Sequence, residues 1–156
     1  VTIGKNIMVA AAFHFYSYNP PSLMVGIKSE KYSYELLNEL NEFAINIPNK
    51  NQLEKIKLCG SVSGREEKDK YKLADLTYKK GNKIDTYIID ECDVNIECKV
   101  VHKIGYEGSH NWFIGEIKEV HVESDYKRSN ALMFWLGQFR GVGNVIEGLE
   151  DKDIFL

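Results

Sequence analysis

Long apolar runs are missing from this chain. The longest, residues 7–13, falls far short of the roughly 20 residues that a helix needs to cross a bilayer, and no charged-then-apolar leader opens the sequence. The expectation is a soluble, cytoplasmic protein with no membrane partner. An excess of one charge is missing as well. Twenty basic residues face 23 acidic ones for a formal charge of −3, so no broad basic field exists to draw in nucleic acid. A small molecule or another protein is the partner to expect.

Cysteine is scarce and irregularly placed. Three residues, an odd count, fit reduced thiols better than a disulfide framework. Cys92 and Cys98 lack the short paired spacing of a zinc site and read as small buried hydrophobes, and no metal site is expected. Proline is scarcer in effect than its count of 3, because Pro20 and Pro21 are adjacent and fix a single turn. What is present is 156 residues at 44% hydrophobic, enough for one well-filled core and too little for two comfortable domains. One unit over 1–156 is expected.

The order of elements is read from periodicity. Residues 7–18 are small, β-branched and aromatic and stop at Asn19-Pro20-Pro21, a strand running into a fixed turn. Residues 23–27 read as another strand. From Ser33, placed as an N-cap with Glu35 in the first turn, Leu36, Leu37, Leu40 and Phe43 recur at helical spacing. Residues 43–47 alternate as a short strand, 51–58 read as a helix, and 66–73 as a solvated helical turn. Val94, Ile96, Cys98, Val100, His102 and Ile104 face one way, with Asn95, Glu97, Lys99 and Lys103 facing water on the other side. Residues 112–122 form a second long strand, whose parity shift near Gly115 signals a bulge or corner. The apolar stretch 129–139 reads as a buried helix or a contact between copies. Strands outnumber helices, which points to a β-barrel with a few peripheral helices.

Two loops carry candidates for holding a flat, phosphorylated molecule. Ser29, Lys31 and Ser33 stand before and at a helix start, where unpaired N–H groups and the helix dipole attract anions; a plain capped helix is the alternative. Ser61, Ser63, Gly64 and Arg65 form the second, hydroxyl-rich loop, with the guanidinium a planar fork suited to an anion.

Five blocks in this order carry a resemblance: Asn6-Ile-Met-Val-Ala-Ala-Ala, Ser17-Tyr-Asn-Pro-Pro, Lys28-Ser-Glu-Lys-Tyr-Ser-Tyr-Glu-Leu, Cys59-Gly-Ser-Val-Ser-Gly-Arg and His110-Asn-Trp-Phe-Ile-Gly-Glu-Ile. From Asn6 to Ser124 the chain resembles the flavin reductase-like family, the FMN-binding split barrels that include the flavoredoxins. The resemblance implies a mainly β fold, an antiparallel Greek-key split β-barrel with a few peripheral α-helices. It also implies a strand ahead of the Asn6 block, which a chain beginning at Val1 would lack or shorten.

The implied cofactor is FMN, with NADH or NADPH as a transient donor. No Gly-x-Gly-x-x-Gly fingerprint is present, so the donor would bind outside a Rossmann site. Asn6 and Ala10, Ala11 and Ala12 would line the ring, Asn6 at an edge, with Ser17 also at the cofactor. Many relatives carry an aromatic residue where Ala12 stands and a hydroxyl where Val9 stands, which leaves a more open slot. Lys70 resembles the family's lysine that reaches the flavin, with Lys68 as the alternative in register. His110 is the catalytic candidate, able to hold charge on the reduced ring or orient a nicotinamide. Cys59 precedes the second loop, as a packed side chain or a redox thiol. The implied activity is a flavoprotein that accepts hydride or electrons and passes them on. A non-catalytic FMN carrier acting with a redox protein partner, or a barrel without cofactor, are the alternatives. A homodimer is expected, with residues 131–136 as its contact.

Overall fold

In a computed structural model, which describes residues 1–143, the chain is a set of antiparallel strands with short helices at its margins. The remainder of the expected unit, residues 144–156, lies outside the described residues. The elements run β1 (Thr2–Ile3), β2 (Asn6–Ile7), β3 (Phe13–Tyr18), β4 (Pro21–Ile27), α1 (Tyr32–Leu40) and β5 (Glu42–Ile47). A 3-10 turn, Lys50–Gln52, leads into α2 (Leu53–Ser61), followed by α3 (Lys70–Leu73), β6 (Tyr78–Lys80), β7 (Tyr87–Ile89), β8 (Val94–Ile104) and β9 (Asn111–Val122). After a 3-10 turn at Arg128–Asn130 come β10 (Leu132–Trp135) and β11 (Gln138–Gly141).

Seven strands form one sheet in the order β2-β1-β5-β8-β9-β4-β3, while β6 with β7 and β10 with β11 pair separately. In a flat sheet β1 and β4 would stand four strand spacings, roughly 19 Å, apart. Instead Ile3 of β1 shares one core with Leu23, Val25 and Ile27 of β4, together with Leu37, Phe43, Ile45, Cys98 and Phe113. The sheet therefore curls around that core, giving the expected mainly β barrel with peripheral helices. Two register shifts in the β8–β9 ladder, at Glu97/Cys98 and at Val100/His102, help it turn. The second lies opposite Gly115, where a Cβ would stand 2.5 Å from Phe43 Cε1. The signalled corner is thus real, and glycine is needed there because the Phe43 ring fills the space.

Several expectations are corrected. The stretch 7–18 is not one strand: β2 and β3 lie at opposite edges of the sheet, so residues 8–12 must leave the ladder to cross between them. Ser33 is not the N-cap. Lys31 is, with no side-chain cap bond, and α1 ends at Leu40 with Asn41 in the left-handed region, so Phe43 belongs to β5. Of 66–73 only Lys70–Leu73 is helical, and α2 extends through Ser61, which places that hydroxyl on a helix rather than in the loop.

The expected wet face of β8 is exposed at Lys99 and Lys103 but covered at its other end. Glu97 is wholly buried, with the connection from β6 to β7 folded over it, and Asn95 is nearly so, donating to the Cys92 carbonyl at 3.2 Å. Glu97 accepts the N–H groups of Asn82 and Lys83 at 2.9 and 2.7 Å and meets His121 Nε2 at 2.7 Å. Finally, 129–139 is not a buried helix. It is an exposed hairpin whose turn residues Leu136 and Gly137 both have positive φ, 49° and 77°, the geometry of tight two-residue turns.

Burial raises the Glu97 pKa, but the bonds from His121, Asn82 and Lys83 outweigh it and hold the carboxyl below its ordinary value. Replacing Glu97→Ala removes a buried carboxylate from two partly buried N–H groups and from His121, and is expected to cost about 3 kcal/mol, read from the urea midpoint. Because the folded pKa is the lower one, the contribution is complete above the ordinary carboxylate range and is lost as pH falls through the depressed value. The gap between wild type and variant should therefore close on acidification.

Candidate functional site

The crossing segment 8–12 leaves a crevice of about 1110 Å³ between the barrel end, the start of α1, the end of α2 and the β10–β11 hairpin. That is room for a cofactor-sized ligand. Ala10 and Ala11 line it, and their small side chains keep it open beside Met8, Val9 and Phe13. Lys31, Tyr32 and Ser33 line it from α1, and Ser61, Ser63, Gly64 and Arg65 from the second loop. The two anion-attracting corners thus converge on one cavity.

The first corner is the start of α1, which has no side-chain cap; the Tyr34 N–H turns back to the Lys31 carbonyl at 2.9 Å, and the N–H groups of Tyr32 and Ser33 are the ones a helix start leaves without intrahelical acceptors. Ser33 Oγ accepts from Asn6 Nδ2 at 2.8 Å, which leaves its own O–H to donate. The second corner is held to the first by Arg65, which donates to the Glu30 carbonyl at 3.0 Å and pairs with Glu35. Its guanidinium lies 5.7 Å from the Tyr32 ring centre and Lys68 Nζ lies 5.0 Å from it. Gly64 packs against Asn6 so closely that a Cβ would stand 2.1 Å from Asn6 Oδ1. Asn6 therefore sits behind the lining and fastens Ser33 and the second loop to each other.

Lys70 lines the crevice yet is nearly wholly buried. Its Nζ donates to the carbonyls of Ile7, Cys59 and Val62 at 2.9, 3.0 and 2.7 Å. Burial lowers its pKa, with Cys59 and Glu67 opposing that change. Cys59 also lines the crevice, and burial pushes its thiol up, against the pull of Lys70.

The remaining expected residues lie apart. Ser29 is exposed in the turn before α1, Ala12 and Ser17 fall outside the lining, and Lys68 stands on Tyr32. His110 also lies outside the lining, with its Nδ1 2.7 Å from Ser109 Oγ. Its neighbour Asn111 pairs with Ile27, so His110 stands at the start of β9 beside the end of β4. Sequence reasoning missed Tyr32 and the hairpin residues Leu132, Met133, Phe134 and Phe139, which line the crevice. The signal for the hairpin was partial: an apolar run, then Leu136-Gly137 as a two-residue turn with glycine, then the alternating Gln138-Phe139-Arg140.

A family model described as a flavin reductase like domain matches residues 1–143. An uncharacterized protein of Archaeoglobus fulgidus is 34% identical over 115 residues, which are 74% of this chain and 64% of that protein. The chain thus spans less than two thirds of that relative's length. Among solved structures, the flavoredoxin of Desulfovibrio vulgaris (Miyazaki F) aligns with a TM-score of 0.83 at 28% identity, over 95% of this chain and 84% of that one. The flavoredoxin of Methanosarcina acetivorans aligns with a TM-score of 0.82 at 27% identity, over 96% and 83%.

The contact between Gly64 and Asn6 makes a specific expectation. Gly64→Ala should lower stability by about 1–3 kcal/mol in thermal unfolding, since its Cβ meets both Asn6 and the Tyr32 ring. In the Asn6→Ala background the added cost of Gly64→Ala should fall, a coupling that a double-mutant cycle reads directly.

Proposed function

The chain belongs to the flavin reductase like domain family, and on that premise we propose that its crevice holds FMN and uses it to take reducing equivalents from NADH or NADPH and pass them to an acceptor. The observation that carries the reading is the convergence of the Lys31–Ser33 corner and the Ser63–Arg65 corner on one cavity beside Ala10 and Ala11. A phosphate needs donors and positive potential, and a flat ring needs a slot without bulky side chains; these segments offer both.

In this reading the N–H groups of Tyr32 and Ser33, the Ser33 hydroxyl and Lys31 hold the phosphate. Arg65 positions the second loop and adds positive charge, while the Ser63 hydroxyl and the N–H groups of the loop bond the ring edge. Ala10 and Ala11 leave space for the ring plane. Leu132, Phe134 and Phe139 of the hairpin exclude water from the slot. Bound FMN supplies the hydride and electron chemistry. Asn6 acts as a positioning residue through Ser33, and Ser29 adds a hydroxyl at the outer edge of the phosphate corner. Ala12 and Ser17, beyond the lining, shape the strand that frames it. His110, outside the lining, is assigned to the transient nicotinamide donor rather than to holding FMN.

A second copy of the chain is part of the proposal. Met133, Phe134, Trp135 and Leu136 are exposed, the last at 82%, on the same hairpin that lines the crevice. Pairing would cover this apolar surface and place each site near the boundary between copies.

Titration with FMN followed by anaerobic addition of NADH or NADPH tests the function. The expected result is binding with quenched flavin fluorescence and loss of the yellow absorbance on donor addition. A protein that binds FMN but stays yellow would be a carrier, and one that takes up no FMN would overturn the reading. Ser33→Ala should weaken FMN binding by about tenfold, the worth of one hydrogen bond to a charged group. His110→Ala should leave FMN affinity near wild type but slow reduction by the nicotinamide by about tenfold or more. Light scattering should give twice the chain mass, falling to one chain mass in Trp135→Glu.

A further inference from the structure

We propose that Lys70 sets the reduction potential of the flavin through the crevice wall, as a fixed buried charge that donates to neither the ring nor the phosphate. The inference rests on the FMN reading and goes beyond it.

An ammonium has three protons. Those of Lys70 are all engaged by the carbonyls of Ile7, Cys59 and Val62. No proton remains for a ligand unless one of these bonds breaks, and the bonds tie β2 to the C-terminal end of α2.

The charge is nonetheless poorly compensated. Among the described residues Lys70 is in no ion pair. Glu67 is the carboxylate that bears on it, and its Oε1 is engaged by the Asp69 N–H; Lys31 adds positive charge and Cys59 contributes a thiol. What offsets the ammonium is dipoles alone: three carbonyls, one of them from the last turn of α2 and one from its C-cap residue Val62. A helix C-terminus is its negative end. With Lys70 in place that end is covered and the wall presents net positive potential; without the charge, the same wall would present bare carbonyls.

Two electrons and one proton from solvent convert FMN to a reduced form whose ring carries a negative charge. A positive wall favours that form over the neutral oxidised ring, so Lys70 raises the potential. The side chain is a positioning and electrostatic residue, and it differs from a purely structural pin in one measurable respect: it discriminates between oxidation states of the ligand.

The test is anaerobic reduction of the FMN-loaded protein by dithionite against a reference dye, for wild type and Lys70→Met, alongside titration of each with oxidised FMN. The expected result is at least about a tenfold loss in the preference for reduced over oxidised FMN, a shift of about 30 mV to lower potential for a two-electron couple. Affinity for oxidised FMN should hold or rise. Equal weakening of both forms would make Lys70 a structural pin only and overturn the proposal. Should Lys70→Met fail to fold, the wild-type protein decides the matter by its absorbance after reduction, on the acid side of the ionisation of free reduced FMN. The anionic spectrum is expected, and the neutral spectrum overturns the proposal. Failure of wild type to bind FMN at all would instead remove the function on which this rests.

Discussion

One buried ammonium determines how the wall of the crevice is assembled. Ile7 ends the short strand β2, Cys59 lies in the last turn of α2, and Val62 begins the loop that runs to Arg65; the Lys70 Nζ bonds a carbonyl of each. Burying a charge without a counter-ion is costly, and it is tolerated here because three aligned carbonyls replace the lost water. The arrangement works in both directions. The carbonyls would be orphaned without the ammonium, and the ammonium could not be buried without the carbonyls.

The same principle of two parts needing each other governs the anion corners. Asn6 donates to Ser33 on α1 while Gly64 presses its backbone against the Asn6 amide oxygen. Arg65 then bridges from the second loop to Glu30 and Glu35 at the start of α1. Each contact is modest alone, and the exposed ion pair contributes little to stability. Together they fix the spacing between two clusters of donors, and spacing is what lets separate backbone corners hold one molecule.

Much of this was legible along the chain. The long strands β8 and β9 announce themselves by alternation, the bulge by the parity shift at Gly115, and α1 by the recurrence of leucines after residue 31. The two loops that converge were both singled out by their hydroxyls and cations. What was not legible has a common cause, which is that local pattern carries no information about what lies across from it. Glu97 looks like part of a solvated face because it is charged, yet the β6–β7 connection folds over it and supplies N–H groups to the carboxylate. Asn6 looks like a lining residue, but its amide lies behind the lining and bonds Ser33. The apolar stretch 129–139 has the composition of a buried helix, and Leu136-Gly137 is its only turn signal, which the positive φ at both residues makes a hairpin.

The sequence by itself determined the fold class, the order of the elements and the chemistry available in each loop, because hydrophobic period, turn residues and side-chain type are properties of neighbours along the chain. Tertiary structure alone decided which of those groups share a cavity and which donors are left over. The curling of the sheet brings residues 8–12, 31–33 and 61–65 to one crevice, while the three carbonyls around Lys70 commit its protons before any ligand arrives. Partnership across tens of residues depends on where the backbone goes, and the identities of the residues do not record that.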